Sequence, residues 1–222
     1  MYIKNINYLC FTFFVILIHT KTPLFVEREY ISYIKMIYRL QRWIIWLYRW
    51  RHCRGFGVQS PSDYSFIRYV INEHYPYYAY NDLKALLPAI SVLKRNKAEL
   101  LFRIANWRQA LSCALLIADD EVYRKYIHYG CKKTIINNKF VSSDSFVIIS
   151  ALSEDEHYIL PMLDIMQSDS ILVIDNLDNR RTRVIWDKII ADEKATITFD
   201  LYYIGIVMKL DKRYKHNYIV NF

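Results

Sequence analysis

The sequence predicts an α/β fold built on a doubly wound sheet that is mostly parallel and ends in an antiparallel strand pair. Continuous apolar runs alternate with amphipathic helical segments, as expected of strands that are covered on both faces. The clearest unit is C-terminal, with a predicted strand, helix and two further strands at Ser170–Asp175, Arg180–Asp192, Ala195–Leu201 and Ile204–Leu210. At 222 residues, the chain fits one such domain with an N-terminal helical extension.

We assign residues 1–54 to the extension and residues 55–222 to the α/β domain. Within the extension, Leu9–Ile18 is apolar but only about half as long as the roughly 20 residues that a membrane-spanning helix needs. The residues after it offer no small-residue cleavage site, which argues against a secretory signal. Met36 is an alternative start, because the domain-like pattern begins just after it. We expect a cytoplasmic protein, with membrane association as an alternative if residues 1–35 are translated.

A tryptophan-rich helix is predicted from Met36 to His52. Helical spacing places Trp43, Trp46 and Trp50 on one broad apolar face, with arginines on the opposite side. Nine cations and two acidic residues precede Ser60, a net charge of +7 out of the chain's total of +8. Such a helix either packs its tryptophans on the domain or lies in a membrane interface, with its arginines at the lipid headgroups.

The elements between this helix and the C-terminal unit follow from apolar periodicity and from proline and glycine positions. The Ser60-Pro61 pair is typical of a helix start, with serine as the capping residue. In order, the sequence then predicts two helices within Leu83–Arg108 separated near Pro88, a strand at Ala110–Ala118, a helix at Glu121–Tyr129, strands at Lys133–Asn137 and Ser145–Leu152, and a helix at Glu154–Gln167 that Pro161 kinks or splits.

Several common sites are excluded by composition and spacing. The chain has four glycines, and they form neither a G-x-G-x-x-G nor a G-x-x-x-x-G-K loop, so the usual nucleotide-binding loops are absent from the sequence. Its four cysteines show no C-x-x-C spacing, which argues against a zinc site and favours a reducing compartment.

Two blocks of the sequence resemble a known family. The first comprises RGFGVQSP at Arg54–Pro61, YYAY at Tyr77–Tyr80 and LLFRIANW at Leu100–Trp107, and the second is the C-terminal strand–helix–strand–strand unit. Together they resemble the class I S-adenosylmethionine-dependent methyltransferases, especially small bacterial members with an R-G-F-G-V-H-S-P box. The resemblance implies a Rossmann-like sheet of seven strands with an antiparallel strand near its edge. It also implies a cofactor across the carboxyl ends of the first strands.

The resemblance places the S-adenosylmethionine contacts at Asp119, Asp120 and Asn137. In the family a glycine-rich loop follows the first strand, whereas here Asp119-Asp120-Glu121 stands in its place. Asn137 takes the position of the acidic residue that holds the ribose hydroxyls. The stretch between Asn137 and Ser145 is too short for another helix and strand, so the cofactor half of the domain is predicted to be shortened or degenerate.

A divalent metal site is a second implication of the resemblance. Cation-dependent O-methyltransferases of this family bind the metal through an Asp-Asn pair at a strand end, which corresponds here to Asp175 and Asn176. Oxygen ligands of this kind suit Mg²⁺ or Ca²⁺. The family's third ligand would fall near Ser150, where no acidic residue stands. The alternative is that Asp175, Asn176 and Asp178 cap the helix that follows.

The sequence leaves three functional hypotheses open. The first is a methyltransferase-like protein with weakened or lost cofactor binding that acts as a non-catalytic binding module. The second is an active O-methyltransferase with an atypical cofactor loop. The third is a membrane-surface protein that works through its Trp/Arg helix. A small-molecule acceptor or a protein partner is expected without being identified, and no specific nucleic-acid partner is predicted.

Overall fold

The structure is a computed structural model of the 222-residue chain. It describes residues 36–37, 39–52, 55–73, 75–118, 121–150 and 156–222. The chain divides into two units, Met1–Trp50 and Arg51–Phe222. In the first unit residues 36–37 and 39–48 are helical, and a 3₁₀ turn follows at Trp50–His52, so the predicted helix is confirmed over most of its length. None of the helices described is both long and apolar enough to cross a membrane.

A seven-stranded sheet forms the centre of the second unit. Its strands lie in the order β2-β1-β3-β4-β6-β5-β7, and β6 alone runs antiparallel to its neighbours. The predicted mostly parallel sheet with an antiparallel C-terminal pair is therefore confirmed. The strands are β1 Ser112–Leu116, β2 Ile135–Asn137, β3 Phe146–Ser150, β4 Ser170–Asp175, β5 Ile197–Asp200, β6 Ile204–Lys209 and β7 His216–Ile219.

The helices of the second unit follow the predicted order closely. Ser60 caps the first of them, because its Oγ accepts a hydrogen bond from the Asp63 backbone N–H at 3.4 Å. Pro161 lies inside a continuous helix, so it does not split the helix, and the alternative of a kink stays a prediction. The helices are α1 Pro61–Phe66, which continues into a π-helical turn at Ile67–Ile71, α2 Ala79–Leu86, α3 Val92–Arg108, α4 Glu121–Gly130, α5 Glu156–Ile165 and α6 Arg180–Ala191.

Helices cover both faces of the sheet. Along β3, Phe146 and Ile148 join one apolar cluster with residues of α1 to α4, whereas Val147 and Ile149 join a second cluster with residues of α5 and α6. Successive side chains of a strand point to opposite faces, so a fully apolar strand needs a helical layer on each side. This arrangement is the doubly wound one that the sequence predicts.

The chain reverses its direction across the sheet at β1. From β1 the path leads through α4 to β2 on one side, and β3 then lies on the other side of β1. In open α/β sheets the carboxyl ends of strands at such a switch point form the crevice where ligands bind. A ligand site is therefore expected at the carboxyl ends of β1 and β3 and of the adjacent β4.

Strand β7 was not predicted from the sequence. It pairs in parallel with β5 at the edge of the sheet, and three of its four residues are exposed. It is fastened to the start of α1, where Tyr218 Oη donates to Asp63 Oδ2 at 3.0 Å and Arg213 Nη2 donates to Asp63 Oδ1 at 2.8 Å. Arg213 Nη2 also donates to Ser60 Oγ at 3.1 Å. The end of the RGFGVQSP box thus has a structural role in joining α1 to the C-terminal strand.

Gly205 in β6 makes room for the indole of Trp186 on α6. A Cβ atom at position 205 would lie 2.5 Å from Trp186 Cζ3, a distance that real Cβ contacts do not reach. Trp186 is buried, so its ring has little space into which it can move. The absence of a side chain at position 205 is therefore a packing requirement.

Gly205→Ala should destabilise the fold by about 1–3 kcal/mol, because the added methyl group overlaps the Trp186 ring in a packed core. Urea unfolding gives the free energy. Combining it with Trp186→Phe should make the two losses less than additive, since the smaller ring relieves the overlap. Strict additivity of the two substitutions would contradict this account of Gly205.

Arg103 of α3 holds the end of the π-helical turn. Its Nε donates to the Val70 carbonyl at 2.6 Å, its Nη2 to the Ile71 carbonyl at 3.1 Å and its Nη1 to Tyr80 Oη at 3.3 Å. Burial raises the pKa of Tyr80 to about 12, although the charge of Arg103 opposes the shift. The folded protein therefore keeps the Tyr80 proton at a pH where an unfolded chain releases it.

Tyr80→Phe should reduce the loss of stability between pH 10 and pH 12. Below pH 10 both states hold the Tyr80 proton, and above it only the folded state does, so the free energy of unfolding falls by about 1.4 kcal/mol per pH unit for this group. Urea unfolding from pH 9 upward measures the slope. Tyr78→Phe, at a position that is 97% exposed, is the matched control. An equal slope in Tyr80→Phe and the wild type would contradict the raised pKa of Tyr80 in the folded protein.

Candidate functional site

Polar side chains meet at the carboxyl ends of β3 and β4. Ser150 and Asp175 are the last residues of these strands and are paired in the sheet register. Both are buried, at 4% and 5% exposure. Asn176 follows directly with a φ of 58°, a left-handed conformation that asparagine tolerates better than most residues. The chain therefore turns sharply at the end of β4.

Lys97 reaches this edge from α3. Its Nζ lies 2.5 Å from Asp175 Oδ1 and 3.2 Å from Asn176 Oδ1. The Lys97 and Asp175 side chains are 5% and 7% exposed, so the ion pair is buried. Burying either charge alone would cost several kcal/mol, and the close contact between the two offsets much of that cost.

Two further hydrogen bonds satisfy the Asp175 carboxylate. Tyr123 Oη of α4 donates to Oδ2 at 2.9 Å, and the Asn176 backbone N–H donates to Oδ1 at 2.7 Å. Burial raises the pKa of Tyr123, and the negative charge of Asp175 raises it further. The phenol therefore stays protonated through the neutral range and remains a hydrogen-bond donor to the carboxylate.

Ser150 completes the group through Asn176, whose Nδ2 donates to Ser150 Oγ at 3.2 Å. We call Lys97, Tyr123, Ser150, Asp175 and Asn176 the carboxyl-edge network. Both carboxylate oxygens of Asp175 accept hydrogen bonds within it, and both ends of the Asn176 amide are engaged. The network thus has matched charges, and each carboxylate oxygen of Asp175 already accepts at least one hydrogen bond from the protein.

The predicted metal ligands Asp175 and Asn176 do come together, and the group between them is the Lys97 ammonium. Ser150, near the expected third ligand, contacts the amide of Asn176. Among the residues that the structure describes, no cluster of three or more His, Cys, Asp or Glu side chains is placed to hold a metal ion. The metal site stays a prediction, and the two oxygens already share a cation that belongs to the protein.

The alternative role for these residues, capping the next helix, was wrong. Helix α6 is capped by Asn179, whose Oδ1 accepts from the Arg181 backbone N–H at 2.9 Å. The left-handed conformation of Asn176 leads into a turn, closed by a hydrogen bond from the Asn179 N–H to the Asn176 carbonyl, before the helix begins. Asp175 and Asn176 therefore face the network and leave the cap to a residue further along.

Asn137, one of the predicted cofactor residues, lies apart from this network. Asp119 and Asp120 fall outside the described residues. Asn137 ends β2 and is partly exposed. It lies three strand positions from β4, a distance of about 14 Å across the sheet. Followed through β1 and β3, the pairing of Asn137 leads to Leu172 of β4, and Leu172 precedes Asp175 by about 10 Å along that strand. Asn137 and Asp175 can therefore border one extended crevice but cannot bind the same atom.

Lys97 and Tyr123 are the site residues that the sequence did not single out. Lys97 occupies the apolar stripe of α3, since Leu101 and Ile104 follow it at helical spacing and are buried. A lysine on such a stripe needs a buried acidic partner, so its position was the signal in the sequence that could have found it. The sequence does not identify that partner, because Asp175 lies 78 residues away.

Comparison with known proteins adds no family to this geometry. No protein-family model matches the chain, and no curated protein matches its sequence. Function has to be inferred from the chemistry of the described residues and from the resemblance of the sequence blocks.

Lys97→Met should destabilise the protein by about 3–5 kcal/mol, because it leaves the Asp175 charge buried without its cation. Chemical unfolding measures the loss. Lys84→Met, the same change at an exposed position of α2, is the control and should stay within about 0.5 kcal/mol of the wild type.

A double-mutant cycle isolates the pair. Combining Lys97→Met with Asp175→Asn should cost less than the sum of the two single losses, because neither variant then carries an unpaired charge. Additive losses would mean that the two side chains do not interact and would contradict the ion pair.

Proposed function

We propose that this chain is a methyltransferase-like α/β protein that has weakened or lost cofactor binding and acts as a non-catalytic binding module. The observation that carries the proposal is the position of Lys97 Nζ, within 3.2 Å of both Asp175 Oδ1 and Asn176 Oδ1. These are the two oxygens through which the resembled O-methyltransferases would bind a catalytic metal. Here they serve the stability of the fold.

Charge supports this role for the network. A divalent cation at Asp175 and Asn176 would have to displace an ammonium group that lies 2.5 Å from the carboxylate in a buried site. Two cations cannot share that position, because like charges a few ångströms apart repel strongly where water is excluded. Displacing Lys97 would in turn bury its charge without a partner. The network therefore opposes metal-assisted chemistry at this strand end.

The shortened cofactor half gives a second line of support. Residues 138–145, between β2 and β3, contain neither a helix nor a strand. The predicted deletion is thus consistent with the fold, and β2 forms the edge of the sheet with three residues. A cofactor lying across the carboxyl ends of the first strands would have less protein surface to bind than in the resembled family.

The sheet itself is compatible with the proposed ancestry. It is mostly parallel, has seven strands and places one antiparallel strand near an edge, which matches what the sequence resemblance implies. Other Rossmann-like proteins share this arrangement. The more specific support is the RGFGVQSP box together with the YYAY and LLFRIANW segments, since they occur in the order of the resembled family.

Isothermal titration calorimetry with the full chain decides between this proposal and an active methyltransferase that uses Asp119, Asp120 and Asn137. S-adenosylmethionine and S-adenosylhomocysteine are titrated separately, with and without Mg²⁺. We expect no binding at micromolar concentrations of ligand. A cooperative unfolding transition of the same sample shows that the protein is folded and makes the absence of heat interpretable.

Binding with a dissociation constant near 1 μM, about −8 kcal/mol, would overturn the proposal and favour the active enzyme. Enhancement of that binding by Mg²⁺ would indicate a metal site, for which Asp175 and Asn176 are the predicted ligands. In that case Asp175→Asn should remove the Mg²⁺ effect, whereas Asn137→Ala should weaken cofactor binding whether or not metal is present.

A further inference from the structure

Residues 36–52, which we call the tryptophan segment, expose an unusual amount of apolar surface. Trp43 is 62% exposed, Trp46 50% and Trp50 57%. Leu40, Ile44 and Leu47 of the same face are exposed as well. None of the described residues of this segment is buried. An apolar helical face of this size is characteristic of a surface that binds a partner or a lipid bilayer.

The electrostatic character of the segment narrows the choice of partner. From residue 30 to residue 62 the sequence contains no Asp or Glu, while it carries six cations: Lys35, Arg39, Arg42, Arg49, Arg51 and Arg54. A surface that is both apolar and uniformly basic is complementary to one that offers hydrocarbon and negative charge together. An anionic bilayer surface offers both.

We propose that the tryptophan segment binds the surface of an anionic lipid bilayer and lies in the plane of the interface. Tryptophan rings favour the interfacial region, where an apolar ring and a polar N–H are both accommodated. At 100° per residue, Arg42 and Arg49 lie about 100° and 120° around the helix from Trp43, at the flank of the apolar face, a position from which their guanidinium groups meet lipid phosphates. The described helix is too short and too basic to cross the membrane, so it lies along the surface.

A second copy of the chain is a less suitable occupant of this face. Pairing two tryptophan segments would bring two sets of arginines together with no acidic side chain from either segment to balance them. Juxtaposed like charges cost several kcal/mol at an interface. A bilayer that contains anionic lipid instead offers phosphate groups that attract these arginines.

Vesicle flotation of the full chain tests the proposal. We expect the protein to float with vesicles of phosphatidylcholine and phosphatidylglycerol and to remain unbound with vesicles of phosphatidylcholine alone. Raising the salt to 0.5 M should weaken the binding, because salt screens the attraction between arginine and phosphate. Equal binding to both kinds of vesicle, or binding that salt leaves unchanged, would overturn the electrostatic part of the proposal.

Substitutions locate the binding surface. Trp43→Ser with Trp46→Ser should lower the partition coefficient about tenfold or more, since binding scales with the apolar area that enters the interface. Arg39→Gln with Arg42→Gln should lower it about fivefold for each charge removed. Tyr78→Ser and Tyr214→Ser remove aromatic rings that are 97% and 88% exposed on the α/β unit, and they should leave partitioning unchanged.

Light scattering on the same variants tests whether a second copy of the chain, and not a bilayer, covers the tryptophan segment. A wild-type protein that ignores anionic vesicles but loses oligomeric mass on Trp43→Ser with Trp46→Ser would show that the face joins copies of the chain. Vesicle binding that survives both pairs of substitutions would place the lipid contact elsewhere in the chain. Either result overturns the proposal.

Discussion

The buried ion pair between Lys97 and Asp175 is the constraint on which the carboxyl edge of the sheet depends. It joins α3 to the end of β4 across 78 residues of sequence, and Tyr123 brings α4 to the same carboxylate. A charge in this environment must be paired, so each partner dictates the position of the other. Two helices from one layer are thereby fixed to the strand end that faces the crevice.

The same constraint limits the chemistry that the edge can perform. A carboxylate at the end of a strand beside a switch point is well placed to bind a metal or substrate, and Asp175 occupies such a position. Its oxygens instead accept hydrogen bonds from Lys97, Tyr123 and a backbone N–H. The Asp175 carboxylate therefore binds groups of the protein itself, and the proposed binding module rests on this arrangement.

The local pattern of apolar residues predicted most helices and strands, but it did not predict contacts between residues that are distant in sequence. Apolar runs located β4 to the residue and α6 to within one residue of its end, because burial on both faces leaves a continuous signal. Strand β7 was missed since an exposed edge strand lacks that signal. Lys97 was missed because its partner is set by tertiary packing, and Asn179 because the left-handed turn at Asn176 moves the cap along the chain.

The distribution of charge gives the two units different physical characters. Of the net charge of +8, +7 precedes Ser60, so the residues from Ser60 onward, which make up nearly all of the α/β unit, are close to neutral. Lys97, a buried cation at the carboxyl edge of this unit, is already balanced by Asp175. Long-range electrostatic attraction therefore comes from the tryptophan segment, and that attraction acts on an anionic surface before any specific contact forms. A ligand of the α/β unit, in contrast, has to be selected by shape and short-range hydrogen bonds, because the unit offers little net charge to attract it.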